Sequence, residues 1–127
     1  MKRFLLGCLM LVAACGGESS SAPPPPKPSI TGTWTGMSVL QPTSLTLLET
    51  NGIVTGSGTI AGTPTGTRAL TVTGIFNNPT FSLTLSSGTL QPINYTGSLN
   101  PNALPMQLIG NYSGSGFNGE AVILTKQ

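Results

Sequence analysis

The sequence predicts an all-β fold, a small eight-stranded antiparallel barrel in which each strand pairs with the next one along the chain. Three observations support this expectation. From residue 29 onward, apolar residues alternate with threonine, serine and glycine, as in strands that bury one face. Turn residues separate these segments, and Asn51-Gly52 is a strong signal for a two-residue hairpin. No segment shows the apolar spacing of a convincing helix.

The segments follow one another at short intervals along the chain. The predicted strands cover residues 30–39, 43–49, 53–61, 68–76, 81–85, 93–99, 104–113 and 120–126. The predicted turns lie at residues 41–42, 51–52, 62–66, 77–79, 86–88, 100–102 and 114–118. Because every connection is short, we expect sequence neighbours to pair antiparallel.

Within most strands, the alternation also predicts which side chains face inward. These are Leu45 and Leu47 in the second strand, Leu70, Val72, Gly74 and Phe76 in the fourth, Phe81, Leu83 and Leu85 in the fifth, Ile93, Tyr95, Gly97 and Leu99 in the sixth, and Met106, Leu108, Gly110 and Tyr112 in the seventh. The last strand leaves two choices open, Val122 with Leu124 or Ala121 with Ile123.

Closure of the sheet follows from its composition. An open sheet exposes two edges, and only 6% of the residues are charged and available to protect them. Closure into an up-and-down barrel with meander topology removes both edges. A β-sandwich is the alternative, but it normally requires a long crossover connection.

The first residues of the chain have a different character. Lys2 and Arg3 precede an apolar run over residues 4–14, which is shorter than the roughly 20 residues of a membrane-spanning helix. This pattern is typical of a secretory signal. The run ends in Val12-Ala13-Ala14-Cys15, which resembles the lipobox of bacterial lipoproteins. The resemblance implies cleavage before Cys15 and acylation of that cysteine.

The residue after the cysteine bears on localisation. In the lipoprotein family, an aspartate at this position retains the protein in the inner membrane, whereas this chain has Gly16. The resemblance therefore implies an outer-membrane lipoprotein of the bacterial cell envelope, on its periplasmic or its surface face. A disulfide between Cys8 and Cys15 is the alternative use of the two cysteines, but Cys8 lies within the predicted signal and leaves with it.

A proline-rich tether follows the cysteine. Residues 16–21 are small and polar, and residues 22–28 read APPPPKP, a composition typical of a stiff polyproline II spacer. The alternative is a ligand for an SH3-type domain. The predicted organisation is a signal peptide over residues 1–14, a lipidated cysteine with its tether over residues 15–28, and a barrel domain over residues 29–127.

Removal of the signal changes the charge balance. The formal net charge of +2 includes Lys2 and Arg3, which the signal carries away. The remaining charged residues are Lys27, Arg68 and Lys126 against Glu18, Glu49 and Glu120, so their charges cancel once the amino terminus is acylated. No basic patch remains to bind phosphates, and we expect no nucleic-acid partner.

The only tryptophan opens the first predicted strand. The stretch Ile30-Thr31-Gly32-Thr33-Trp34 resembles the G-x-W signature of the calycin superfamily, and most closely the opening of avidin-type barrels. In those families the tryptophan closes one end of the barrel, and in lipocalins a basic residue near the end of the last strand covers it. Lys126 stands at the comparable position. The resemblance thus implies a structural plug of Gly32, Trp34 and Lys126.

The sequence departs from the ligand sites of these families. Avidin-type biotin sites use several tryptophans, a tyrosine and an aspartate, whereas this chain has a single tryptophan and no aspartate. Gly36 stands where that family has an asparagine ligand. The lipidated protease-inhibitor barrels share the G-x-W start but usually contain a disulfide. Biotin binding is therefore not implied.

The composition also limits the chemistry. The chain contains no histidine and no aspartate, so nothing suggests an activated nucleophile or a metal site. We expect no enzymatic activity, no metal and no cofactor. The predicted function is a non-catalytic binding module for a small apolar ligand, because inward glycines could leave a cavity. The alternative is a packed barrel that serves as an envelope structural or interaction protein, or as a protease inhibitor.

The two functions differ in the interior that they require. A cavity above about 300 Å³ favours ligand binding, and a solid interior favours a function of the surface. Neither ligand-binding residues nor an oligomeric state follow from the sequence.

Overall fold

A computed structural model describes residues 27–38, 41–63, 66–88 and 90–127. These residues form eight strands and no helix, which confirms the predicted all-β class. The strands are β1 Gly32–Ser38, β2 Gln41–Thr50, β3 Ile53–Thr63, β4 Gly66–Asn77, β5 Thr80–Ser86, β6 Ile93–Asn100, β7 Gln107–Gly114 and β8 Phe117–Lys126. The described part of the chain has no helix that is long and apolar enough to cross a membrane. The predicted signal, the lipobox with Cys15 and the tether up to residue 26 lie outside the described residues.

The strands form a closed barrel in which each strand pairs antiparallel with the next one in sequence. The ring closes where β8 pairs with β1, from Trp34 opposite Lys126 to Met37 opposite Ile123. The predicted meander barrel is therefore confirmed, and the sandwich alternative does not apply. This architecture is consistent with a calycin-like fold.

Some strand ends differ from the sequence prediction. Gln41 and Pro42, predicted as a turn, are the first residues of β2 and lie opposite Ser38 and Met37. Proline is tolerated here because it stands near the start of a strand, where a missing N–H costs little. The Asn51-Gly52 hairpin is as predicted. Both residues have positive φ angles, 52° and 84°, as a type I′ turn requires.

Inward-facing side chains fill the barrel. The buried apolar residues are Ile30, Trp34, Leu45, Leu47, Val54, Ile60, Leu70, Val72, Phe76, Phe81, Leu83, Leu85, Ile93, Tyr95, Leu99, Leu108, Tyr112, Val122 and Leu124. This set confirms the inward faces predicted for β2, β4, β5 and β6. In β8 it selects Val122 and Leu124 over Ala121 and Ile123, which the sequence left open.

The inward glycines allow adjacent strands to approach closely. Gly97 of β6 lies opposite Gly110 of β7, and a Cβ atom on Gly97 would collide with the carbonyl oxygen of Ile109. The neighbouring backbone thus occupies the space that a side chain would have filled. These glycines do not open the cavity that the sequence interpretation expected.

The two ends of the barrel are built differently. One end, called the Trp34 end below, carries the Asn51-Gly52 hairpin, the β4–β5 turn and the chain entering β1. The other end, called the Arg68 end, carries the connections that follow Ser38, Thr63, Ser86 and Gly114.

Candidate functional site

The predicted plug residues lie together at the Trp34 end. Trp34 is completely buried, and its Nε1 donates a hydrogen bond of 2.8 Å to the carbonyl oxygen of Ile30. The ammonium nitrogen of Lys126 lies 5.8 Å from the centre of the Trp34 ring, within the roughly 6 Å range of a cation–π contact.

Gly32 makes room for this contact. Its φ angle is +136°, which L-residues with side chains rarely adopt. A Cβ atom at Gly32 would lie only 2.9 Å from Cε of Lys126. The backbone angle therefore favours glycine at this position, and the lysine stem passes close to it.

The chain that enters the barrel is bound across the same end. The Glu49 carboxylate accepts hydrogen bonds from Ser29 Oγ at 3.0 Å and from the Gly52 amide at 3.2 Å. The Glu49 amide in turn donates to Thr31 Oγ1 at 2.9 Å. Sequence analysis did not identify these hydrogen bonds, because Ser29 and Glu49 meet only in the folded barrel.

A pocket of about 210 Å³ lies at the Arg68 end. Its apolar walls are Ile60, Ile93 and Phe117. Its polar groups include the Gln41 amide and the Arg68 guanidinium, and the tip of the β7–β8 hairpin borders it. We take this pocket as the candidate functional site.

Strand register positions the polar groups of the pocket. Gln41 lies opposite Ser38 of β1, and Arg68 lies opposite Ile60 of β3. Arg68 has the same strand parity as Leu70 and therefore points toward the interior. Four consecutive strands thus bring Ser38, Gln41 and Arg68 to one arc of the rim.

Three buried polar atoms in this arc have no hydrogen-bond partner. They are Ser38 Oγ, Gln41 Oε1 and Arg68 Nε, and they are the buried side-chain nitrogen and oxygen atoms without a partner among the residues described. An unsatisfied buried polar group costs about 1–3 kcal/mol, and a charged one costs more. Such groups call for an explanation. Two of the three residues, Gln41 and Arg68, line the pocket, where a bound ligand would contact them.

A column of aromatic rings leads from the core to the pocket. The ring centres are 4.8 Å apart from Phe81 to Tyr95, 5.1 Å from Tyr95 to Tyr112 and 5.2 Å from Tyr112 to Phe117. The last two pairs are edge-to-face, a favourable geometry for aromatic rings. The column supports Phe117 from below and gives the pocket a packed floor.

Both tyrosine hydroxyls in the column are satisfied. The single hydroxyl proton of Tyr95 is shared between the carbonyl oxygens of Leu108 and Val122, at 2.9 and 3.1 Å, and Tyr112 donates to Thr43 Oγ1 at 3.2 Å. Burial raises the pKa of Tyr112 to about 12, and it raises the pKa of Tyr95 further still. Both phenols are therefore neutral hydrogen-bond donors near pH 7.

The pocket offers a cation, an amide and apolar walls, which are suited to reversible binding by charge, hydrogen bonds and contact. Within the described residues, no group of three or more histidine, cysteine or carboxylate side chains is placed to hold a metal ion.

Sequence reasoning did not identify Ser38, Gln41 or Arg68 as site residues. The alternation of inward and outward positions along each strand could have identified them. Ser38 shares the inward parity of Trp34, and Gln41 shares that of Leu45. Polar residues at inward positions near one end of several strands indicate a rim site.

Comparison with known proteins gives no relative to extend this picture. The chain matches no protein-family model, no curated protein and no solved structure.

Proposed function

We propose that this barrel is a non-catalytic binding module that holds a small ligand at the Arg68 end. The observation that supports the proposal is the clustering of unpaired buried polar atoms beside an apolar-walled pocket. Barrel mouths that combine apolar walls with a few polar groups are common ligand sites.

The pocket volume limits where the ligand sits. About 210 Å³ is below the roughly 300 Å³ at which sites for drug-sized molecules begin. Large side chains fill the barrel below the pocket. The proposed ligand is therefore small and occupies the rim, rather than the larger apolar cavity expected from the inward glycines.

Mass spectrometry under native conditions tests this function. Protein isolated from its host in mild detergent is expected to carry, besides any acyl chains, an added mass of roughly 100 Da, because about 210 Å³ holds roughly seven non-hydrogen groups. The matched variant Lys126→Met, altered at the opposite end, should retain the same added mass. A bare protein mass, together with no response to any small-molecule probe, would count against a binding module.

We further propose that the barrel is anchored to the outer membrane through acylated Cys15 and the tether over residues 16–28. The chain enters the barrel at the Trp34 end, where Ser29 and Thr31 are bound to Glu49. The Arg68 end lies at the far end of the strands. An anchor attached in this way leaves the pocket facing away from the lipid surface.

Metabolic labelling tests the anchor. Growth with an alkyne-bearing palmitate analogue should label the wild-type protein and not the Cys15→Ser variant, which should also leave the membrane fraction. Cys8→Ser is the control and should be labelled like the wild type. Equal labelling of the Cys15→Ser variant would exclude acylation at that residue.

One observation favours the alternative function of a packed barrel that acts through its surface. Met37, Ile123 and Ile109 are neighbours across β1, β8 and β7 on the outer face, and they are 57%, 48% and 42% exposed. Pro42 extends this row onto β2. Clusters of exposed apolar residues often mark protein contacts.

Crosslinking in intact cells tests the surface function. If an envelope protein binds this row, Ile123→Lys should abolish a crosslinked complex. Ile75→Lys, at an exposed isoleucine of β4 on the opposite wall, should leave it unchanged. Loss in both variants, or in neither, would argue against a contact through this row.

A further inference from the structure

We infer that the ligand of the Arg68 end is a short-chain organic carboxylate, with its charged group at Arg68 and its apolar tail on Ile60, Ile93 and Phe117. This inference rests on the proposed binding function and specifies the chemical class of its ligand. It follows from the charge, the unpaired atoms, the shape and the volume of the pocket.

The charge of the pocket selects an anion. Among the residues that the structure describes, Arg68 is the one ionisable side chain that lines the pocket, and no carboxylate does. A partly buried guanidinium without a counter-ion is costly, because water no longer solvates it fully and no acid compensates for it. A ligand that brings its own negative charge removes this cost.

The unpaired atoms favour a planar anion with two oxygens. Arg68 Nε is a buried donor with no acceptor. A guanidinium presents parallel N–H groups that match the two oxygens of a carboxylate. A phosphate dianion would bring more charge than the single cation here can balance.

The Gln41 amide fits the same ligand. Gln41 lines the pocket, and its carbonyl oxygen Oε1 is buried. The NH₂ group is therefore the end of the amide that is left to face the pocket, where it can donate to a carboxylate oxygen. The Ser38 hydroxyl is completely buried and does not line the pocket, so it takes no part in binding the ligand.

The volume sets the length of the tail. At about 30 Å³ for each water-sized group, a pocket of about 210 Å³ holds roughly seven such groups. A carboxylate with four to six carbons matches this volume. The apolar walls exclude a polar tail, because its hydrogen-bonding groups would find no partners there.

Isothermal titration calorimetry with matched probes tests the inference. The full-length protein in mild detergent is titrated with hexanoate, and separately with hexanamide, which has the same length and no charge. We expect saturable binding of one hexanoate per chain. Hexanamide should bind about 10- to 100-fold more weakly, the range expected for loss of a charge-assisted hydrogen bond.

Three variants separate the role of Arg68 from its effect on folding. Arg68→Met should reduce hexanoate affinity by the same 10- to 100-fold and hexanamide affinity by less, because the amide carries no charge to pair with the guanidinium. Arg68→Lys keeps the positive charge but lacks the parallel N–H groups of the guanidinium, and it should give an intermediate affinity. Lys126→Met removes a cation from the Trp34 end and should bind hexanoate as the wild type does.

The outcomes distinguish the two levels of the proposal. Equal affinities for hexanoate and hexanamide would overturn the carboxylate inference while leaving a ligand pocket in place. A wild-type hexanoate affinity in Arg68→Met would also overturn it. No binding of either probe would overturn the inference, and if host-isolated protein also shows a bare mass, the binding function falls with it.

Discussion

The lysine above the tryptophan is a single contact that joins the first and the last strand. Trp34 and Lys126 are direct partners across the β1–β8 junction, although they stand at opposite ends of the barrel sequence. The lysine stem passes close to Gly32, where a Cβ atom would lie 2.9 Å from Cε of Lys126. Gly32 and Trp34, near the start of the barrel sequence, thus meet Lys126, near its end, at one end of the barrel.

Fluorescence reports on this contact directly, because Trp34 is the only tryptophan. Lys126→Ala should shift and change the intensity of the Trp34 emission, since the ring loses both the ammonium and the aliphatic stem that cover it. Lys27→Ala, at an exposed lysine of the same end, should leave the spectrum unchanged. An unaltered spectrum in Lys126→Ala would show that the two residues do not interact in solution.

The buried tyrosines make the stability of the barrel sensitive to alkaline pH. Burial raises the pKa of Tyr112 from 10.0 to about 12, whereas the unfolded chain titrates near the lower value. Above pH 10 the folded state therefore holds a proton that the unfolded state has lost, and the free energy of unfolding falls as pH rises. The slope is about 1.4 kcal/mol per pH unit for each tyrosine.

Urea unfolding at pH 8, 9, 10 and 11 measures this dependence. Stability should be insensitive to these phenols up to about pH 9 and should decline above pH 10. Tyr112→Phe should show a shallower decline, because Tyr95 alone then contributes. Parallel curves for the wild type and Tyr112→Phe would mean that Tyr112 ionises no less readily in the folded protein.

Among the strands, β6 and β7 show how glycine shapes the barrel wall. The inward pair Gly97 and Gly110 lets the two backbones approach where side chains would hold them apart. Strand glycine normally weakens a sheet. At this pair, glycine lets the two strands approach closely, and backbone atoms, not side chains, form the inner surface of the wall there.

Alanine substitutions at Gly110, within this pair, and at Gly88, in a loop, separate the cost of steric conflict from the cost of backbone strain. Gly110→Ala should destabilise the barrel by about 2–3 kcal/mol, because its Cβ would collide with the carbonyl oxygen of Thr96. Gly88→Ala, in open space at a φ of +53°, should cost only about 1 kcal/mol from the left-handed backbone. Chemical denaturation measures both, and an equal cost for the two would refute close strand approach as the cause.

For the molecule as a whole, closure is the feature on which both ends depend. β1 pairs with β2 along its length and with β8 from Trp34 to Met37. Every backbone N–H of that stretch therefore has a strand on the side to which it points. In an open sheet, alternate N–H groups would face water instead.

Amide hydrogen exchange distinguishes these two arrangements. In the closed barrel the amides of Thr35, Gly36 and Met37 should all exchange slowly, like those of β3, which has strands on both sides. If β1 were an edge, every second amide would exchange rapidly and the others slowly. A fast–slow alternation along β1 would therefore contradict closure.

The two ends of the barrel carry different features. The entering chain, Glu49 and the Lys126–Trp34 contact lie at one end, while the unpaired polar atoms lie at the other. The proposed anchor and the proposed ligand therefore lie at opposite ends, and one need not interfere with the other.

Local patterns were enough to predict the strands, their order and most of their inward faces. Alternation of period two is set by each strand separately, and short turns leave antiparallel pairing as the simple solution. The inward face of β8 was not predictable in this way. Its residues 121–124 are all apolar, and a register shift at Tyr112 and Ser113 separates this stretch from the start of the strand.

The candidate site and the row of exposed apolar residues on the outer face depend on contacts between distant parts of the chain. Ser38, Gln41 and Arg68 meet only because the registers of β1 to β4 place their inward positions at one rim. Met37 and Ile123 adjoin only because the ring closes. Alternation encodes which way a side chain points, whereas register and closure decide which side chains it meets, and these depend on every pairing in the barrel at once.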